Sequence, residues 1–385
     1  MKHMKWIDAY KGVLILLVVA GHTIGSGIHL LPVASTSRTI TEAVFKFIYL
    51  FHMPAFFFIA GVTFGKGSQK TVKEFLKRKM QRLIIPYLVF GILSAVVYLA
   101  MSGAFNGIVS THSTDNFYAN KTGIAWWIPF AGLLHGGGMP HGLGFVANSV
   151  LWFLPCLFMV EMAYFFLDRI VRTRGWQLAI ALLLFFAVYP LKKLIPYALP
   201  WGLSKLPYFL PFMIIGRWLP RTWSDLAEER LRFSSLSIGG CLLAVLICGT
   251  ILTPNAILAE KVWGWNLLFT GLAIVGTVCL FFMIYLLDWH WTRVCGSASL
   301  TIMLLHKFLA IALQLKIPQC RSLTSSGGWA MSGITIVIVV LSVVVCLVAD
   351  RMIVRFAPWM LGMIRNRQGD SEKISMRTGS QGNQK

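Results

Sequence analysis

The chain has 385 residues, 57% of them hydrophobic and only 13% charged, with a mean hydropathy of +0.70. A soluble domain carries roughly a quarter charged residues, so a water-soluble globular fold is excluded. The formal net charge of +21 would suit a nucleic-acid-binding protein, but its distribution along the chain rejects that reading.

Apolar runs predict about ten membrane spans, at 10–31, 44–64, 83–102, 148–167, 177–191, 206–219, 234–253, 264–287, 297–315 and 330–349. With the N-terminus inside, 24 Lys and Arg fall on inner segments and 8 on outer ones. That bias predicts cytoplasmic placement of both termini, so the basic excess reflects topology and anionic lipid. No nucleic-acid partner is expected. The predicted fold class is an all-α integral membrane protein, with a transmembrane domain over 1–350. A basic cytoplasmic tail, polar and expected to be disordered, covers 351–385. The 14 Trp and 27 Phe suit aromatic belts at the interfaces. A basic start leads into the first apolar run with no A-x-A-like cleavage site after it, so a retained span is expected rather than a removed signal peptide.

The first span, WIDAYKGVLILLVVAGHTIG, contains Lys11 and His22. Eleven residues advance a helix by ~1100°, nearly three full turns, so both side chains share one face about 16 Å apart. Ionisable residues inside a span are costly and mark function by default. Asp8, three residues before Lys11, lies close to the same face and is the expected partner of the ammonium. The second span carries FHMPAFFFIAG, with His52 at a depth that could approach His22. A proline-kinked helix beside a hydrogen-bonded structural histidine explains the same residues equally well.

KEFLKRKMQRLIIPY (73–87) is the most basic stretch. It is either a positive-inside anchor or a clamp for the phosphates of a cytoplasmic cofactor. The outer loop 103–147 holds His112, Trp126, Trp127, His135 and His141, and reads either as an interfacial cap or as an acceptor-binding lid. LWFLPCLFMVE places Glu161 in the fourth span, where it needs a partner on another helix or serves the site. GSASLTIMLLH brings His306 to mid-membrane on the ninth span. The seven cysteines form no CxxC pair and read as apolar packing residues, and no metal site is predicted.

These elements, in this order, resemble the membrane-bound acyltransferase 3 family, which includes O-acetyltransferases of bacterial surface polysaccharides. The resemblance runs from residue 5 to about 350. IDAYKGVLILLVVAGH supplies Asp8, Lys11, Gly12 and His22 of the family's first span, and Lys11 in place of the commoner Arg resembles the fucose 4-O-acetylase-like branch. FHMPAFFFIAG, FLKRKMQRLIIPY, LWFLPCLF and GSASLTIMLLH resemble four further family elements, with Met303 where the family usually has Tyr.

The resemblance implies a multi-pass enzyme of the bacterial inner membrane that takes acetyl from acetyl-CoA. The acceptor is a hydroxyl of a surface glycan or its precursor, and polysaccharide-assembly proteins are possible partners beside membrane lipid. His22 would be the catalytic base or the acyl carrier, and Lys11 would orient it or bind the donor. Arg78 and Arg82 would hold CoA phosphates, with His52, Glu161 and His306 in support. A proton-coupled secondary transporter using the same intramembrane His, Lys and Glu residues is the alternative, and a non-catalytic scaffold a third class.

Overall fold

The computed structural model describes residues 5–28, 31, 35–65, 71–100, 127–137, 148–194, 199–218, 230–252, 267–316 and 328–363. Among these residues every regular element is helical. The helices are α1 (Lys5–Gly27), α2 (Thr36–Thr63), α3 (Val72–Lys79), α4 (Ile85–Ala100), α5 (Ile128–His135), α6 (Phe153–Ile170) and α7 (Arg174–Leu194). They continue with α8 (Leu206–Trp218), α9 (Arg230–Leu252), α10 (Leu267–Leu287), α11 (His290–Ser297), α12 (Ser299–Lys316) and α13 (Gly328–Phe356).

Each predicted span falls on a described helix. Five stretches are long and apolar enough to cross a membrane: Lys5–Gly25, Thr36–Thr63, Val72–Val97, Ser149–Ile170 and Gly333–Phe356. Shorter apolar stretches lie within α7, α9, α10 and α12. The predicted span 206–219 is a different case. Its helix α8 has 13 residues, so it rises only about 20 Å against a hydrocarbon core of ~30 Å. Its flanking turn, Pro200–Lys205, bends through left-handed backbone at Trp201 and Gly202.

Two glycine crossings set the centre of the bundle. A Cβ on Gly12 of α1 would lie 1.8 Å from the Thr292 carbonyl oxygen of α11, and one on Gly296 would lie 1.8 Å from the Asp8 oxygen. Gly61 of α2 meets the Met213 carbonyl of α8 at 2.0 Å, and Gly216 meets that of Phe58, also at 2.0 Å. Bilayer lipid is as apolar as leucine, so close backbone approach at small residues is what holds such helices together. α1 and α2 also pack against each other and against α10, and α1 packs against α12. Around them pack Tyr10, Phe57, Phe58 and Phe209, all buried, with the Phe57 and Phe209 rings stacked at 4.0 Å. The Tyr10 hydroxyl donates to the Thr277 carbonyl at 3.1 Å.

Outward-facing positions on α7, α9 and α13 are apolar, for instance Leu183, Ile251 and Ile336. A residue such as Ile251 in contact with water would be unfavourable, whereas contact with lipid is not.

The packed part of the chain continues past residue 350. α13 runs on to Phe356, and a 3₁₀ turn, Pro358–Leu361, folds back with Leu361 buried. Gly362 then adopts φ +66°, and a Cβ there would meet the Gln81 carbonyl oxygen at 1.8 Å. The first residues assigned to the tail are therefore folded against the basic segment. Residues 364–385, and with them the disorder expected there, lie outside the described residues.

Candidate active site

His22, His52 and His306 converge from three helices. The His22 ring of α1 lies 5.4 Å, centroid to centroid, from the His306 ring of α12. The Tyr49 ring of α2 stands 4.9 Å from His52 and 6.1 Å from His22, and links the two. Its hydroxyl is 3.3 Å from His22 Nδ1.

His52 and His306 each donate Nδ1–H to the backbone carbonyl four residues back, Ile48 and Ile302, at 2.8 Å. That bond fixes the tautomer and leaves Nε2 with the lone pair. His306 Nε2 is buried with no hydrogen-bond partner among the described residues. When His22 donates Nδ1–H to the Tyr49 oxygen, its Nε2 likewise carries the lone pair, the form a general base needs.

The His22 side chain faces a small apolar cleft. Ile15 and Val18 of α1, Met53 and Phe56 of α2, Met303 of α12, and Val150, Trp152 and Phe153 line it. Val150 and Trp152 belong to a 3₁₀ turn, Ser149–Trp152, that opens α6. Asn148 ties this turn to α12, its Nδ2 donating to the Leu304 carbonyl at 2.9 Å.

Lys11 is half-buried where α1 crosses α11, three turns from His22 on the face the spacing predicts. Asp8 is half-buried one turn before it.

The basic segment forms a second centre. Thr71 caps α3, accepting from Glu74 N–H at 3.3 Å while Glu74 Oε2 accepts from Thr71 N–H at 3.0 Å. Phe75 pins this amphipathic helix by stacking on Phe165 of α6 at 4.1 Å. Lys79 Nζ then reaches Glu161 Oε1 at 2.5 Å, with Glu161 almost fully buried. A π turn, Met80–Ile84, follows, and it is here that Gly362 docks. Arg78 and Arg82 are exposed on this segment.

Glu161 therefore belongs to the basic segment and not to the histidine group. It lies eight residues beyond Phe153 of the cleft wall, about 12 Å along α6. Tyr49 and Lys79 were missed by the sequence reading. Tyr49 could have been found, because it lies three residues before His52 on the same face of α2. Lys79 carried no signal that set it apart from its basic neighbours.

Of the outer loop, Trp127 and His135 lie in or beside α5, which docks through its Leu133 carbonyl on the Tyr87 hydroxyl and its Leu134 carbonyl on Trp201 Nε1–H. His112, Trp126 and His141 lie outside the described residues. Among the described residues no group of three or more His, Cys, Asp or Glu is placed to hold a metal ion. The six described cysteines are free thiols.

A bundle of apolar helices with histidines packed beside an apolar cleft defines a multi-pass membrane protein. The chain belongs to the acyltransferase 3 family, whose profile, an acyltransferase domain, matches residues 4–351. The nodulation protein NolL of Sinorhizobium fredii (strain NBRC 101917 / NGR234) is 24% identical over 242 residues. That match covers 63% of this chain and 55% of NolL, so the chain spans about half the length of the curated relative it matches. No solved structure matches the chain.

Proposed function

We propose that this protein is an inner-membrane O-acyltransferase that moves acetyl from cytoplasmic acetyl-CoA to a hydroxyl of a bacterial surface glycan or its precursor. The observation that carries the reading is the histidine group: His22 and His306 stand 5.4 Å apart beside the cleft, with Tyr49 against His22 Nδ1. In this reading ten segments cross the membrane, the short α8 doing so together with the Pro200–Lys205 turn before it, and both termini are cytoplasmic, as the basic bias predicts.

His22 Nε2 takes the proton of the acceptor hydroxyl as its oxygen attacks the thioester carbonyl. The tetrahedral adduct collapses, the carbon–sulfur bond breaks, and the proton passes to the CoA thiolate. The products are an O-acetyl ester and CoA. Burial strengthens the Tyr49 contact, because a hydrogen bond counts for more in low dielectric. His306 and His52 hold the pocket beside the base. Arg78 of α3 and Arg82 of the π turn, both exposed on a segment anchored by Phe75 and Lys79, take the CoA phosphates. Lys11, on the His22 face of α1 about three turns nearer the N-terminus, binds the donor.

The family match favours transfer over the transporter alternative. The test compares surface glycans from a deletion strain carrying wild type or His22→Ala. A mass difference of one acetyl group, restored by wild type alone, is expected; normal modification by a membrane-inserted His22→Ala protein would refute the assignment.

A further inference from the structure

The mouth of the cleft carries positive charge that the chemistry at His22 does not use. Lys307 follows His306 on α12, and its Nζ donates to the Ser149 hydroxyl. Met303 lines the cleft four residues earlier on the same helix face, about 6 Å along the axis. Ser149 opens the turn whose Val150 and Trp152 form part of the wall. Lys307 therefore stands on the rim, one turn beyond the wall. Elsewhere on the wall, Lys205 Nζ lies 3.7 Å from the centroid of the Trp152 ring.

Among the described residues Lys307 has no carboxylate partner, and its hydrogen bond is to a neutral hydroxyl. An ammonium held in an apolar, partly buried setting is unfavourable until an anion approaches it. The same setting makes the anion's hydrogen bonds strong once it arrives.

We infer that this rim is an anion subsite for the acceptor, in which Lys307 binds a carboxylate or phosphate carried near the hydroxyl that receives the acyl group. The inference rests on the acyltransferase reading and narrows the acceptor to anionic glycans. The oxyanion comes from an acidic sugar or from the diphosphate of a lipid-linked sugar. A neutral glycan leaves the Lys307 charge uncompensated and binds more weakly.

The experiment measures equilibrium binding to the full chain in nanodiscs of zwitterionic phosphatidylcholine. The probes are two pairs differing in charge: 4-nitrophenyl glucuronide against glucoside, and farnesyl diphosphate against farnesol. In at least one pair the anion is expected to bind about tenfold more tightly, which is the scale of one charge-assisted hydrogen bond. Lys307→Met removes the preference, Lys307→Arg keeps it, and added salt narrows it. A preference in the sugar pair assigns the anion to the glycan, and one in the farnesyl pair assigns it to the lipid carrier. Equal binding within both pairs, or an intact preference in Lys307→Met, overturns the inference. If Lys307→Met is not monodisperse, Lys307→Gln, which removes the charge and keeps a donor for the Ser149 hydroxyl, is read by the same two outcomes. His22→Ala retains the charge preference while losing transfer, so a failure of the catalytic assignment is seen separately from a failure of the subsite.

Discussion

The Tyr49 hydroxyl lies 3.3 Å from His22 Nδ1, across the interface between α1 and α2. A single phenol thus connects the expected base to the helix that carries His52, and it does so on the side of the imidazole away from the reacting nitrogen. In other histidine sites the partner of the second ring nitrogen fixes the tautomer and orientation of the first.

Tyr49→Phe keeps the ring that packs between His22 and His52 and removes only the hydroxyl. Loss of one such hydrogen bond, worth about 1 kcal/mol, lowers kcat by roughly fivefold. Steady-state kinetics should show the loss in kcat with the donor KM unchanged. A shift in KM alone would mean that Tyr49 acts on binding and not on the base.

His22→Ala is expected to lower transfer by a factor on the order of 10²–10⁴, the usual contribution of a positioned general base. Release of CoA thiol, followed in membranes with equal amounts of each protein, measures it. A residual rate within a few-fold of wild type would assign the base elsewhere.

Lys79 and Glu161 form a nearly buried pair. Lys79→Met strands the carboxylate and destabilises the fold by about 3–5 kcal/mol, whereas replacing both partners by neutral residues is far milder. Thermal unfolding in detergent should therefore rank Lys79→Met below the double variant Lys79→Met/Glu161→Gln. Lys77→Met, which alters an exposed neighbour, serves as the control. Equal melting of the two Lys79 variants would mean the pair is not the anchor of α3.

Gly12→Ala and Gly61→Ala put a methyl group into a facing backbone oxygen, at 1.8 Å and 2.0 Å. Neither carbonyl can rotate away, so the helices must separate and the variants should lose several degrees in Tm. Gly240→Ala and Gly271→Ala meet nothing within 4 Å and should melt at or above the wild-type temperature, since alanine favours helix by about 1 kcal/mol. The pattern fails if all four variants behave alike.

Gly362→Ala tests the contact between the C-terminal turn and the π turn bearing Arg82. The positive φ and the Gln81 carbonyl both exclude a Cβ. Release of the turn is expected to raise the KM for acetyl-CoA several-fold while leaving kcat within twofold, a split read from donor saturation curves. Unchanged kinetics would detach the turn from donor binding.

Hydropathy and spacing alone made an all-helical membrane fold legible, together with the shared helix face of Lys11 and His22. Hydropathy and the positive bias are local properties, so the spans could be read and each falls on a helix. The helical period put Lys11 and His22 on one face before any partner was known. Glu161 shows where that reading stops: the chain announced a buried carboxylate that needed a partner, but not that Lys79 is the partner and the histidines are not. Likewise, only packing decided that His306, near the other end of the chain, faces His22, and that Lys307 stands on the rim of the same cleft. Those juxtapositions depend on which backbones approach at Gly12, Gly61, Gly216 and Gly296. In a bilayer, where every outward face is apolar, a helix's own pattern does not name its neighbour; the fit of small residues against a facing backbone does.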